Sequence, residues 1–299
     1  MIDRFLAMEW EEAPEAMRFE ASLGEILEDA AVLVKLLNAS EIRLERSSLS
    51  IPDAGEYDPS LPSSAAVKLF VRAPAIVNVM LNHKICVEHD LPLHPTVYYE
   101  LAEAKRYAIS RPISEIERAN RLYRESIDLA RAAISLDADF GTRAAAFRNK
   151  LPRELLGFIY TGGLDKYTWR GSEPKKLLDL ARKISESWEP DVIIAAAHGS
   201  IMPGLLFAEY LAKPLYFARF SMFKRNDEAP IVSFADEAWL STWHEGRALL
   251  FDEDVARGAT LGLFSKRLGP LFKEFKTACS IRHAGSAFKP DFAARTWWD

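Results

Sequence analysis

Cysteine is nearly absent from this chain: Cys86 and Cys279 are the only two among 299 residues, too few for a disulfide framework. An excess of one charge is missing as well. The formal net charge of -5 argues against a protein that coats nucleic acid, while leaving local basic patches open. Nothing like a signal peptide follows Met1-Ile2-Asp3-Arg4-Phe5, and no apolar run reads as long enough to span a membrane, so the expected setting is cytoplasmic with no membrane partner. Internal repeats and low-complexity tracts are also lacking. What is present, 49% hydrophobic and 27% charged residues, suffices for a sizeable core and points to two domains.

Apolar spacing is helical through Met17–Leu37, Val97–Ile109, Ile113–Ile134 and Leu151–Ile159, with Pro112 suited to a first turn and Ser172 to the cap of a helix over Pro174–Trp188. Ser47–Ser64, with three prolines and Gly55, reads as a loop. The expected division is a mainly helical interaction or regulatory domain over 1–170 and a second domain over 171–299, with Thr161–Gly171 as linker. In the first part, His83-x-x-Cys86-x-x-His89 with His94 has zinc-ligand residue types, but the spacing and the interrupting Pro92 and Pro95 favour a helix end with surface histidines and Cys86 in the core. Arg118, Arg121 and Arg124, mixed with Glu115, Glu117 and Glu125, read as a solvated face.

The second part carries the chemistry. Leu249-Leu250-Phe251 is an apolar run, with a strand over Arg247–Phe251, that stops at Asp252-Glu253-Asp254. It continues through Val255 into a loop, Ala256-Arg257-Gly258-Ala259-Thr260, and then into helical spacing over Leu261–Leu268. A ligand at that strand's carboxyl end meets amide donors at the start of a helix, which favour an anion, with the Thr260 hydroxyl as a further donor. Adjacent carboxylates at Asp252 and Glu253 suit vicinal sugar hydroxyls or the hydration shell of Mg²⁺. Upstream, Pro190–Arg219 reads in order as strand, small-residue loop, helix and strand.

The acid pair with its Gly-x-Thr loop resembles the 5-phosphoribosyl-1-diphosphate (PRPP) signature of type I phosphoribosyltransferases, and the upstream unit is similar to that family's first βαβ unit. The resemblance covers about 125 residues and implies an α/β fold, a parallel sheet flanked by helices and preceded by a mainly helical domain. It implies Asp252 and Glu253 as catalytic acids on the ribose hydroxyls and, through water, on Mg²⁺. Ala256, Arg257, Gly258, Ala259 and Thr260 would form the 5′-phosphate site, and Ala197, His198, Gly199, Ser200 and Arg219 the pyrophosphate site. The segment Phe220–Glu245, with Lys224 and Arg225 and a hairpin through Ile231–Phe234, sits where the family has a flexible closing loop. Trp297 and Trp298 fall in the tail where an aromatic residue often stacks on a nucleobase, although a terminal anchor is the simpler reading.

Several positions depart from the family. His198 stands where many members carry Lys or Arg, Ala256 where hypoxanthine-guanine enzymes place an acid, and Arg257 where Thr is common, which disfavours ordinary purine salvage. Asp254 is an additional acid that suits either a metal or the repulsion of a second anion. The resemblance implies Mg²⁺-dependent transfer of phosphoribose from PRPP to a nitrogen acceptor with release of pyrophosphate, and a homodimer. The alternative is a non-catalytic sensor of PRPP or a related nucleotide, or an effector of the kind found in bacterial conflict and retron systems, whose helical domain binds a protein or nucleic acid partner.

Overall fold

The computed structural model describes residues 1–6, 8–47, 62–94, 101–222 and 227–298, with side chains left aside over 41–47. Lys224 and Arg225, most of the loop expected over Ser47–Ser64 and the start of the helix expected over Val97–Ile109 lie outside the described residues. Two compact units, Met1–Asp165 and Lys166–Asp299, divide the chain.

In the first unit the order is β1 (Glu20–Ser22), α1 (Leu23–Ser47), α2 (Pro62–Glu88), α3 (Ile113–Ser135), α4 (Phe140–Lys150), α5 (Arg153–Leu156) and β2 (Ile159–Thr161). A capping box starts α1: Ser22 Oγ accepts from the Glu25 amide, and the Glu25 carboxylate accepts from the Ser22 amide at 2.8 Å. The helix therefore begins at Leu23 rather than Met17, and the preceding residues pair antiparallel with β2. Pro152 and Gly157 bound a single helical turn at α5, so Leu151–Ile159 is no continuous helix and Ile159 already belongs to a strand. The described part of Val97–Ile109 is a 3₁₀ stretch over Leu101–Arg106.

Helix α2 corrects two expectations. Contrary to the reading of no membrane-length apolar run, it is long and apolar enough to cross a membrane by length and composition; 83% of that window is buried inside the protein. Being apolar on nearly all sides, it is the core helix of its unit, packed against α1 and α3. His83 is not at the surface but 5% exposed. Near it, the Lys84–Glu88 ion pair is also enclosed, with both side chains 2% exposed and Asn120 Nδ2 donating to Glu88. Burial pushes the His83 imidazole down to about 4 from 6.5, with Arg111 and Arg118 adding to the shift. Between those values the unfolded chain takes up a proton that the native state refuses, so stability falls as pH drops from 6.5 towards 4. Urea melts at pH 7 and pH 5 are expected to show this loss, and His83→Gln to reduce it.

The second unit runs α6 (Lys166–Gly171), α7 (Pro174–Ser187), β3 (Val192–Ala197), α8 (Ile201–Leu211), β4 (Leu215–Arg219), α9 (Phe234–Leu240), β5 (Arg247–Val255), α10 (Ala259–Leu268), β6 (Glu274–His283) and β7 (Phe292–Trp297). Lys166–Gly171 is thus a helix packed on β5. Ser172 does not cap α7, because its hydroxyl donates back to the Thr168 carbonyl and closes α6 instead; Glu173 is the cap residue. The five strands lie in the order β4-β3-β5-β6-β7, all parallel. This is the expected parallel sheet flanked by helices, preceded in the chain by a mainly helical region. Val192–Ala197 is buried throughout, as a strand covered on both faces must be. In place of a hairpin at Ile231–Phe234, Ile231 makes one antiparallel bridge to Arg219, and Ser233 and Asp236 form a capping box that starts α9.

Candidate functional site

Parallel strands deliver their carboxyl ends to one edge of a sheet, where loops and helix starts meet. Here that edge gathers the β3–α8 loop, the end of β4, the end of β5 and the start of α10. Strand β5 runs past Phe251 to Val255, so Asp252 and Glu253 sit within its last turn of pleat rather than after it, and Asp252 is 5% exposed.

Ser200 joins two of these pieces. Its hydroxyl lies 2.7 Å from Glu253 Oε2 and 3.1 Å from Asp252 Oδ1, and accepts from the Glu253 amide at 3.1 Å. The small-residue loop is therefore bonded to the acid pair, and Ser200 directs its side chain at the acids. Glycine is required beside it: a Cβ on Gly199 would fall 1.7 Å from Glu253 Oε1. On the other side Gly171 of α6 lies against Glu253, where a Cβ would sit 3.2 Å from the Glu253 Cβ. The glutamate is gripped between two glycines, Gly199 of the expected loop and Gly171, which no sequence motif singles out.

The Asp252 carboxyl is held well above the usual carboxylate range, first by burial and then by repulsion from Glu253. Above the ordinary value the unfolded chain has released this proton while the native state keeps it, so stability falls as pH rises through the native value. Asp252→Asn removes that cost. The variant is expected to melt several degrees above wild type at pH 7 and to converge with it near pH 4, read by thermal scans across that range. Cys279 pairs with Asp252 in the β5–β6 ladder, and burial with the Asp252 and Asp254 charges pushes its thiol up, which keeps it an inert core residue.

Ala197 ends β3, and its ladder partner is Arg219 at the end of β4; His198 and Gly199 follow, half-buried, with a cis peptide between Ala197 and His198. Arg219 is 2% exposed and lies 3.4 Å from Asp227. It is built into the fold beside the loop with an acid facing it. Asp254 is engaged too, 3.1 Å from His283 Nε2.

Helix α10 begins at Ala259, inside the expected loop, so Thr260 is in its first turn. Gly258 sets this geometry with φ +80°, and a Cβ there would meet the Phe288 Cβ at 2.2 Å. No side chain caps α10, and none caps α8 at Ser200. Ala256, Arg257 and Ala259 are exposed and Thr260 is half-buried. The uncapped start of α10 thus follows the acid pair in an arrangement that suits an anion, whereas at the start of α8 the Ser200 and Ile201 amides already donate to the Ala196 and His198 carbonyls and Pro203 has no N–H. Phe288, the first residue of the closing segment Phe288–Trp298 that resembles the family's tail, and Ser286, which carries no signal in sequence, come from the β6–β7 connection and wall the Gly258 turn.

Two carboxylates and a hydroxyl are the hard oxygen donors that Mg²⁺ takes, and a divalent cation relieves the repulsion within the pair, so the residues fit that ion. Among the described residues no group of three His, Cys, Asp or Glu side chains is placed to hold a metal by itself, His83, Cys86 and His89 included.

No family model and no curated protein matches the chain. Among solved structures it is similar to a purine phosphoribosyltransferase from Pyrococcus horikoshii, at 25% identity over 41% of this chain and 81% of that one, TM-score 0.34. It is also similar to a xanthine-guanine-hypoxanthine phosphoribosyltransferase from Helicobacter pylori, at 18% identity over 40% and 78%, TM-score 0.32. A third is a hypothetical protein from Neisseria gonorrhoeae with bound ppGpp, at 20% identity over 42% and 80%, TM-score 0.35.

Proposed function

We propose that the second unit binds PRPP with Mg²⁺ and transfers its phosphoribosyl group to a nitrogen acceptor, releasing pyrophosphate. The observation that carries this reading is the bonding of the β3–α8 loop to Asp252 and Glu253 through Ser200, with the uncapped start of α10 following the same strand. PRPP has a pyrophosphate at one end, a phosphate at the other and two hydroxyls between. In this reading the amides of His198 and Gly199 take the pyrophosphate, the Ser200 amide being bonded to the Ala196 carbonyl; those of Ala256–Thr260 take the 5′-phosphate, and the acids hold the hydroxyls.

The acids have a second task as the bond to pyrophosphate lengthens. Positive charge grows on the sugar ring, and Asp252 and Glu253, held in a partly dry site, stabilise it. Binding at the phosphate end fixes the reacting carbon in place. Asp252 and Glu253 would hold Mg²⁺ through water, and the ion bound there would supply positive charge to offset that of the pyrophosphate. A reducing cytoplasm is part of the proposal, with both cysteines free and buried. The sensor reading draws on Arg219, whose neighbouring Asp227 reduces what it offers a pyrophosphate.

Calorimetric titration of PRPP with Mg²⁺, with pyrophosphate release followed over mixed nucleobases and nucleotides, tests the proposal. Binding with release is the expected outcome. Binding without release for every acceptor favours the sensor, and no binding overturns both.

A further inference from the structure

Arg219 is a cation that sequence and fold both place beside the β3–α8 loop, and the way it is held decides what it offers a ligand. Its backbone is fixed on two sides: it pairs with Ala197 in the β3–β4 ladder, and its carbonyl accepts from the Ile231 amide at 2.8 Å. Its side chain is 2% exposed. A guanidinium so enclosed needs anionic or polar partners within the fold. Among its bonds is one from Nη2 to Asp227 Oδ1, at 3.4 Å.

That carboxylate is itself tied in place. Its second oxygen accepts from the Ser221 amide at 2.9 Å, and the Asp227 amide donates to the Ser221 carbonyl at 3.3 Å, so two bonds join the same two residues in the segment that leaves β4. The Asp227 side chain is 10% exposed. Its bond to Arg219 is the longest of the three and longer than the 2.7–2.9 Å or about that of a close charge-assisted pair. It is the bond that an incoming anion can replace, while Ser221 keeps the acid where it is.

We propose that Asp227 is a resident competitor at Arg219 that sets the affinity of the pyrophosphate end of the site. This rests on the reading of the second unit as a PRPP site and adds to it a residue that opposes binding there. A pyrophosphate group drawing on Arg219 meets a guanidinium whose charge is partly answered and a fixed carboxylate that repels it. A ligand anchored elsewhere as well, at the acid pair and at the 5′-phosphate loop, overcomes that opposition. Free pyrophosphate lacks those anchors and leaves readily, as does the pyrophosphate that transfer cuts from the sugar.

Calorimetry on the full-length protein with Mg²⁺ tests this with three probes: PRPP, inorganic pyrophosphate and ribose 5-phosphate. Asp227→Asn keeps an oxygen for the Ser221 amide and removes the charge. It is expected to tighten PRPP and pyrophosphate by one common factor of about ten, and to leave ribose 5-phosphate, which has no pyrophosphate, unchanged. Asp227→Ser, which also keeps an acceptor, is expected to give the same gain, so the result does not rest on the folding of one variant. Combined with Arg219→Gln, the gain is expected to vanish, a coupling that a general change of charge or stability would not give. Wild-type binding of PRPP with no gain in either variant overturns the proposal and leaves the PRPP reading standing. An equal gain for ribose 5-phosphate, or a gain that survives Arg219→Gln, overturns it too. No binding of any probe by any of these proteins overturns both.

Discussion

Replacing both acids, Asp252→Asn with Glu253→Gln, is expected to abolish PRPP binding while leaving a folded protein that melts above wild type at neutral pH. The two effects have one origin. Asp252 is buried beside a second carboxylate, an arrangement unfavourable to the empty protein, and its proton is held as a result. Sugar hydroxyls and a hydrated cation are what make the charge useful. The amide side chains keep size and acceptor oxygens for the Ser200 hydroxyl but lose the charge. Two charge-assisted contacts at about 1.5–3 kcal/mol each set the scale, a weakening of about two orders of magnitude or more. Calorimetry and a thermal scan on the same preparation check both halves. A variant that binds PRPP as wild type does would remove the acids from the site, and one that melts lower would deny the strain assigned to Asp252.

Gly199→Ala and Gly258→Ala are expected to fail in different ways. At Gly199 the new methyl would fall on Glu253 Oε1, the far end of a flexible side chain, which can swing aside. Stability should change little, while PRPP binding and any turnover are lost with the displaced carboxylate. At Gly258 the new methyl meets the Phe288 Cβ at 2.2 Å and its Cα at 3.1 Å, groups that cannot turn away, on a backbone at φ +80°. The left-handed conformation alone costs about 1–2 kcal/mol, and displacement of the Phe288 segment adds to it, so Gly258→Ala should lose stability and the 5′-phosphate end together. Chemical denaturation beside PRPP titration separates the two. Equal stability losses would contradict the contrast between a movable and a fixed neighbour.

Local signals carried well where one element decided the outcome. The run Leu249–Phe251 reads as a buried strand, and Gly258 with Thr260 reads as a turn into a helix, because strand burial and helix starts are written in neighbouring residues. Where two weak local preferences competed, a single side-chain hydrogen bond one turn away chose between them. Ser233 was free to extend a hairpin or to cap a helix, and Asp236 three residues on made it a cap. Ser172 was free to begin α7 or to close α6, and the Thr168 carbonyl one turn back took its hydroxyl. The uniform apolarity of α2 escaped because a helix buried on all sides has no polar face to give it a period.

By itself the sequence determined the strands and helices from Pro174 to Arg219 and from Arg247 to Leu268, the acid pair at a strand end and the small-residue loops on either side, since each depends on residues close together in the chain. Only the tertiary structure decided that Ser200 would hold Asp252 and Glu253, that Gly171 and Gly199 would enclose the glutamate, and that Arg170 would meet Trp297. Those contacts join residues 52 to 127 positions apart. They exist because parallel strands bring distant carboxyl ends to one edge, a juxtaposition that no local pattern encodes.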